Sequence, residues 1–263
     1  MRTFLQRCWR VPLTAMSFAL FGLGGLVLGA IVFPAIRMLS PREATGRRCR
    51  RAIQRSFRLF LVVLSVLRLM RFEFCEEERL LHLHGRLVVA NHPSLLDVVV
   101  LVSRLPDARC VVKHAVWRSP FLGTVVRLAG YVPSVDPQDV VDRTARLLRA
   151  GETVVLFPEG TRTRKDRPAA VRRGAALILL RSGRPAVPVR LRVRPPALGK
   201  MDSLARLPPE AVHVRMTVGE EVHPSTFGSH GSEREKSRSG SRILERALGL
   251  PPADRLDPPM AGW

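Results

Sequence analysis

The stretch Asn91-His92-Pro93-Ser94-Leu95-Leu96-Asp97 sets an imidazole and a carboxylate five residues apart, directly after the run Leu87-Val88-Val89-Ala90. That run is short, apolar and β-branched, the pattern of a buried strand. Sites in α/β proteins gather at the carboxyl ends of such strands. On a continuous helix, residues five apart diverge by roughly 140° in azimuth, so the pair would not share a face. The proline offers another geometry. His92 precedes Pro93 and is biased out of the α region, while Pro93 is pre-set for the first helical position. His92 is then expected in a turn, folded back towards Asp97 on the first turns of the helix. Asp97 would accept from one ring nitrogen and fix the tautomer, leaving the other nitrogen as a base. A capped histidine at a strand end is the plainer reading of the same residues.

A second stretch has the same setting. After the strand-like run 153–157 comes Pro158-Glu159-Gly160-Thr161-Arg162-Thr163-Arg164. Proline and glycine end the strand in a tight turn that exposes backbone N–H groups. Arg162 can clamp a phosphate or carboxylate, and Glu159 can accept from a hydroxyl or hold that arginine.

The elements that must position these turns follow from periodicity. Strand-like runs at 87–90, 110–112, 131–135, 153–157, 186–191 and 212–218 alternate with helix-like ones at 95–105, 121–129, 138–150 and 171–182. Such alternation predicts an α/β fold with helical crossovers. The helix at 138–150 is the cleanest, with Asp136 as N-cap, Pro137 at the first position and Gly151 ending it. The run Val98-Val99-Val100-Leu101-Val102 suits helix or strand by propensity.

Together the two turns resemble the glycerolipid acyltransferase family, which includes the 1-acylglycerol-3-phosphate acyltransferases. Its signature, Asn-His-x4-Asp followed downstream by Phe-Pro-Glu-Gly-Thr-Arg, is intact in both parts. Weaker blocks also match at Gly130-Tyr131-Val132-Pro133-Ser134-Val135-Asp136, Arg173-Gly174-Ala175-Ala176 and Val187-Pro188-Val189, so the resemblance runs over roughly 86–218. By that resemblance His92 is the general base and Asp97 its orienting partner. Glu159, Gly160, Thr161 and Arg162 would hold the acceptor's polar head, and the segment around Val187-Pro188-Val189 would help shape the site. The family's second block ends in Asp-Arg, and that arginine contributes to phosphate binding. Here Pro137 follows Asp136, which leaves the phosphate to Arg127, Arg143 or Lys113, or points to a non-phosphate acceptor.

Acyl transfer from a thioester to an alcohol needs a base for the hydroxyl proton and donors for the carbonyl's developing charge. Amide N–H groups near Ser94 and Leu95 are candidate oxyanion donors. No Gly-x-Ser-x-Gly elbow occurs, so a serine-nucleophile hydrolase is disfavoured and Ser94 reads as a cap. The expected reaction carries a fatty acyl group from acyl-carrier protein or acyl-CoA to a lysophospholipid in phospholipid biosynthesis. The carrier enters as co-substrate, and neither cofactor nor metal is expected.

Composition sets the surroundings. The 263 residues carry a formal charge of +21, and all of the 43 basic side chains but Lys113, Lys165, Lys200 and Lys236 are arginine. Such a surface favours phosphate-rich or acidic partners: anionic lipid, nucleic acid or an acidic carrier. With a single tyrosine and no interleaved aromatics, a nucleic-acid-binding protein is the weakest of these readings. Cys8, Cys49, Cys75 and Cys110 lie far apart, as reduced thiols would. The histidines at 82, 84, 114, 213 and 223 have no acid at suggestive spacing.

Residues 11–36 hold no charge and would extend roughly 39 Å as a helix, enough to cross a bilayer or to turn back within it. The heavier arginine cluster follows it, which places the catalytic domain on the cytoplasmic side of the inner membrane. Residues 47–70 repeat apolar side chains at helical spacing beside Arg48, Arg51, Arg55 and Arg58. That pattern reads as an interfacial helix on anionic head groups, with a core-packing helix as the alternative. The expected architecture is a single mostly parallel central sheet flanked by helices, with an N-terminal membrane helix and an amphipathic interfacial helix. Its boundaries are 1–40 for the anchor, 41–75 for the interfacial helix, 76–227 for the catalytic domain and 228–263 for a flexible tail, within which 243–248 could form one short helix.

Overall fold

The computed structural model describes residues 2–160, 171–199, 208 and 210–250. Its strands are β1 (Met70–Cys75), β2 (Leu87–Ala90), β3 (Ala108–Lys113), β4 (Val132–Ser134), β5 (Thr153–Leu156), β6 (Ala186–Arg194) and β7 (Val212–Val218). They form one sheet in the order β1-β7-β6-β2-β5-β3-β4, parallel throughout except for the β6–β7 pair. The fold class expected from the alternation is the one observed. All four residues of β2 are fully buried, as a strand covered by helices on both faces must be. β2 lies between β5 and β6, so the two motif-bearing strands are parallel neighbours: Val89 pairs with Leu156 on one side and with Pro188 on the other.

The helices are α1 (Arg2–Val27), α2 (Phe33–Leu39), α3 (Arg42–Val66), α4 (Asp97–Val102), α5 (His114–Trp117), α6 (Gly123–Leu128), α7 (Pro137–Arg149), α8 (Arg173–Ser182) and α9 (Glu233–Leu248). α7 starts as predicted, with Asp136 Oδ2 accepting from the Asp139 amide at 2.7 Å and Pro137 first in the helix. The run 98–102 is helical, with Val99, Val100 and Val102 buried and the helix packed beside α3.

A π-helical turn, Leu28–Val32, joins α1 to α2, and the segment Trp9–Leu39 is long and apolar enough to cross a membrane. One face of this helix rests on the rest of the molecule. The Arg10 guanidinium donates to the carbonyls of Arg68 and Leu69, both at 3.0 Å. Phe18 and Phe21 pack on Phe57 and Phe60 of α3, and Phe33 is fully buried. Met16, Leu20, Leu23, Val27 and Ile31 are exposed.

Two stretches depart from expectation. In 41–75, α3 ends at Val66 and the remainder becomes β1 at the sheet edge, paired in parallel with β7. Met70, Phe72 and Phe74 alternate with charged or small residues, a period of two rather than 3.6. On α3 itself Ile53, Phe60, Leu61 and Leu64 enter the core, while Leu59, Val62 and Val66 face outward. The apolar residues thus divide between core and surface. Arg50 of α3 is buried as well; it pairs with Asp107 and Glu152 and donates to the Ala129 carbonyl, while Arg109 makes two 3.1 Å bonds to Glu152.

The other departure is the tail. Residues 233–248 of the segment expected to be flexible form α9, opened by a capping box between Ser232 and Glu235. Its buried face is built from Ser237, Gly240, Ser241, Leu244 and Leu248. A β-carbon on Gly240 would stand 2.5 Å from the Phe227 ring. Small residues let the helix approach closely, and they leave no hydrophobic period to read.

Candidate active site

The chain leaves β2 and does not enter a helix at Pro93. It makes a turn over Ser94–Leu96, and α4 begins at Asp97. The reason is in the side chains. Asp97 Oδ2 accepts from the Ser94 amide at 2.6 Å, Asp97 Oδ1 accepts from the Ser94 hydroxyl at 2.7 Å, and Ser94 Oγ accepts from the Leu96 amide at 3.2 Å. These local bonds hold the backbone out of the helix for one turn. The same carboxylate receives His92 Nδ1 at 2.8 Å. The imidazole is thereby fixed with Nε2 as its other nitrogen, and its ring lies against Phe157 with centroids 4.6 Å apart.

Asp97 is 0% exposed. Burial raises its pKa above the usual carboxylate value, and the bonds from His92 and Ser94 work in the opposite direction. Burial also pushes the Cys110 thiol up to about 12, which makes it an inert core residue.

The turn after β5 meets this one directly. Glu159, 7% exposed, accepts from the His92 amide at 2.9 Å, so at least one of its oxygens serves the backbone of the histidine. Gly160 follows at φ +70° with the Arg172 guanidinium against it; a β-carbon there would lie 3.1 Å from Arg172 Cζ. On the other flank the Asn91 side chain extends the ladder between β2 and β6, donating to the Leu191 carbonyl at 2.9 Å and accepting from its amide at 2.7 Å. His92, Asp97, Glu159 and Gly160 therefore come together at the ends of adjacent strands. Thr161 and Arg162 lie outside the described residues.

The candidate oxyanion donors do not serve that purpose in this arrangement. The Ser94 amide is taken by Asp97, and the Leu95 amide donates to the Leu198 carbonyl at 2.9 Å. Spacing alone did not reveal that the turn uses the Ser94 amide to hold the carboxylate.

A cavity of about 980 Å³ opens beside His92. That is at the upper end for small-molecule sites. Its walls are mainly apolar and include Phe18, Phe21 and Leu28 of the N-terminal helices, Ile53 and Phe57 of α3, and Val99 of α4. Among the described residues, its cationic side chains are Lys113 and Arg172. Of the three cations considered for the missing arginine, Lys113 lines the cavity. Arg127 instead donates to the Trp117 carbonyl at 2.9 Å, and Arg143 is exposed on α7. Pro137, where the family has arginine, is itself in the wall.

Residues 71–192 match the family model described as Acyltransferase. That segment, a little under half of the chain, is similar to the acyltransferase family. The resemblance read from the two motifs is borne out, and the matched segment includes both of them. The chloroplastic 1-acyl-sn-glycerol-3-phosphate acyltransferase BAT2 of Brassica napus is 34% identical over 108 residues, 39% of this chain and 31% of that protein. The aligned part of the chain thus spans about a third of the length of that relative. The 1-acyl-sn-glycerol-3-phosphate acyltransferase of Bacillus subtilis is 26% identical over 170 residues, 62% of this chain and 79% of that one. In fold, the chain is similar to the crystal structure of the 1-acyl-sn-glycerophosphate acyltransferase PlsC from Thermotoga maritima. The TM-score is 0.67 and identity 18%, over 94% of this chain and 96% of that one.

Proposed function

We propose that the protein transfers a fatty acyl group from a thioester donor to the hydroxyl of a lysophospholipid such as 1-acyl-sn-glycerol-3-phosphate. The observation that carries this reading is the 2.8 Å contact between His92 Nδ1 and the buried Asp97, in the wall of a large apolar cavity. With Nδ1–H given to Asp97, Nε2 keeps its lone pair. It takes the proton of the acceptor hydroxyl as that oxygen attacks the thioester carbonyl carbon. On collapse the C–S bond breaks, the thiolate departs, and the proton passes from Nε2 to sulfur. An ester replaces a thioester. Asp97 stabilises the imidazolium between the two steps. Glu159 fixes the histidine backbone, Gly160 lets the turn close, and Thr161 and Arg162 contribute to holding the head group. The cavity accommodates the acyl chain. The names of the relatives support the acceptor, and the basic surface suits either acyl-carrier protein or coenzyme A as donor carrier.

The same reading places the protein at a membrane. Because one face of the N-terminal helix is packed from Arg10 to Phe33, a crossing would drag the packed surface into the bilayer. Lying in one leaflet satisfies both faces, with Met16, Leu20, Leu23 and Ile31 among acyl chains and Arg37, Arg48, Arg51 and Arg55 at head groups. The arginine bias favours the cytoplasmic face of the inner membrane.

The test is acyl transfer by the purified full chain from acyl-CoA and acyl-carrier protein to lysophosphatidate, with the product read by mass spectrometry. His92→Ala should abolish turnover and leave vesicle flotation intact; retained turnover removes the base assignment. A second reading, a non-phosphate acceptor, is motivated by Pro137 in the cavity wall. Faster transfer to a monoacylglycerol than to lysophosphatidate decides for it.

A further inference from the structure

The acceptor side of the site has a cation that the motifs do not point to. Arg172 comes twelve positions after Gly160, yet its guanidinium lies against that glycine, and both line the cavity with His92. Gly160 is next to Glu159, whose carboxylate holds the His92 amide, so the imidazole and the guanidinium share one corner of the cavity.

The backbone on which Arg172 sits is fixed at two points. The Arg172 amide donates to the Pro158 carbonyl at 3.1 Å, tying it to the turn after β5. The preceding amide, of Val171, donates to Glu245 Oε1 at 3.0 Å. Glu245 is 2% exposed and belongs to α9, the C-terminal helix. A buried carboxylate is costly unless it is hydrogen-bonded, and this one is bonded to the chain at its point of entry into α8. α9 is itself held to the sheet by Arg190, whose Nε donates to the Leu248 carbonyl at 2.9 Å.

We propose that Arg172 binds the phosphate ester of a substrate at this site, and that Glu245 is the positioning residue that holds Arg172 in place. The planar guanidinium matches two phosphate oxygens at once, and its place beside Gly160 supplies a cation on the wall where Pro137 cannot. The inference rests on the acyl-transfer reading of the same cavity. Two substrates carry phosphate esters, the lysophospholipid acceptor and the coenzyme A or phosphopantetheine donor, and separate arms tell them apart.

In steady-state assays of the full chain, Arg172→Gln is measured against lysophosphatidate, monoacylglycerol and acyl-CoA, each varied in turn. Binding of lysophosphatidate, monoacylglycerol and coenzyme A in detergent micelles is read in parallel. A rise of roughly 10- to 100-fold in KM and Kd for lysophosphatidate relative to monoacylglycerol assigns the acceptor phosphate. A rise confined to acyl-CoA and coenzyme A assigns the donor phosphate, and unchanged values in both arms overturn the proposal. Arg172→Lys should recover part of the loss, and melting temperatures confirm that each variant folds. Glu245→Ala should raise the same KM and Kd with little change in kcat, while Glu245→Gln, which keeps an oxygen for the Val171 amide, should restore them. A normal KM in Glu245→Ala overturns the positioning role. Wild-type protein that binds lysophosphatidate through Arg172 but transfers no acyl group overturns the acyl-transfer reading and leaves the phosphate site standing; lack of phosphate-dependent binding overturns the site itself.

Discussion

The ends of β2 and β5 lie side by side, yet they are built in opposite ways. At β2 the ring of His92 is oriented from within the motif: Asp97 takes Nδ1, and Ser94 gives that carboxylate both its amide and its hydroxyl. At β5 the partners come from far along the chain. Glu159 reaches the His92 amide across 67 residues, and Val171 is held by Glu245 across 74. The histidine–carboxylate pair is a local device on a buried strand, whereas the turn after β5 is tied to a docked C-terminal helix. Damage to the fold should therefore reach substrate binding before it reaches the base.

The largest effect expected on either side is from Asp97→Asn. An amide in place of the carboxylate favours the wrong imidazole tautomer, and kcat should fall on the order of 10³-fold or more with the acceptor KM little changed. A comparable rise in KM would mean that Asp97 also shapes the acceptor site, and the contrast would blur. Gly240→Leu tests the opposite region. Its side chain would collide with the Phe227 ring and lift α9, at a cost of about 1–3 kcal/mol in stability. The acceptor KM should rise more than kcat falls. Equal loss of both would show that the β2 motif leans on α9 after all.

Arg50→Met should lower stability by about 1–3 kcal/mol in urea unfolding, since Asp107 and Glu152 lose a buried partner but are themselves about a third exposed. kcat in the folded protein should be nearly unaffected, because this network lies apart from the β2 turn. The smallest effect is one of pH. The folded pKa of Asp97 is raised, so its contribution to stability is present below the unfolded value and is lost as pH rises through the folded one. The melting temperature of Asp97→Asn minus that of the wild type should therefore increase from about pH 4 to pH 7. A flat or falling difference would indicate that the three hydrogen bonds outweigh burial.

Much of the sheet could be read in advance. β2, β3, β5, β6 and β7 announce themselves as apolar or alternating runs between turn residues, and the cap of α7 was legible from Asp136 and Pro137. β1 was hidden because the apolar spacing of α3 runs into it without a strong break. Of α9 only the end, 243–248, reads as helix; its first turns were hidden because Ser237, Gly240 and Ser241 fill positions where apolar residues were sought. At the site, the meeting of His92 and Asp97 was foreseen, though not the extra turn before α4, because Ser94 competes with the helix for backbone bonds.

The sequence by itself determined the imidazole–carboxylate pair, since a proline and a serine within six residues leave the chain few ways to connect a strand to a helix. It determined the class of fold as well, through the burial demanded by each apolar run. The tertiary structure alone decided that β5 and β6 flank β2, that Glu159 turns to the histidine backbone, and that Glu245 of α9 holds the amide of Val171, next to Arg172. Strand order, backbone acceptors and close packing of small side chains are long-range choices, and their energies depend on partners that no local pattern names.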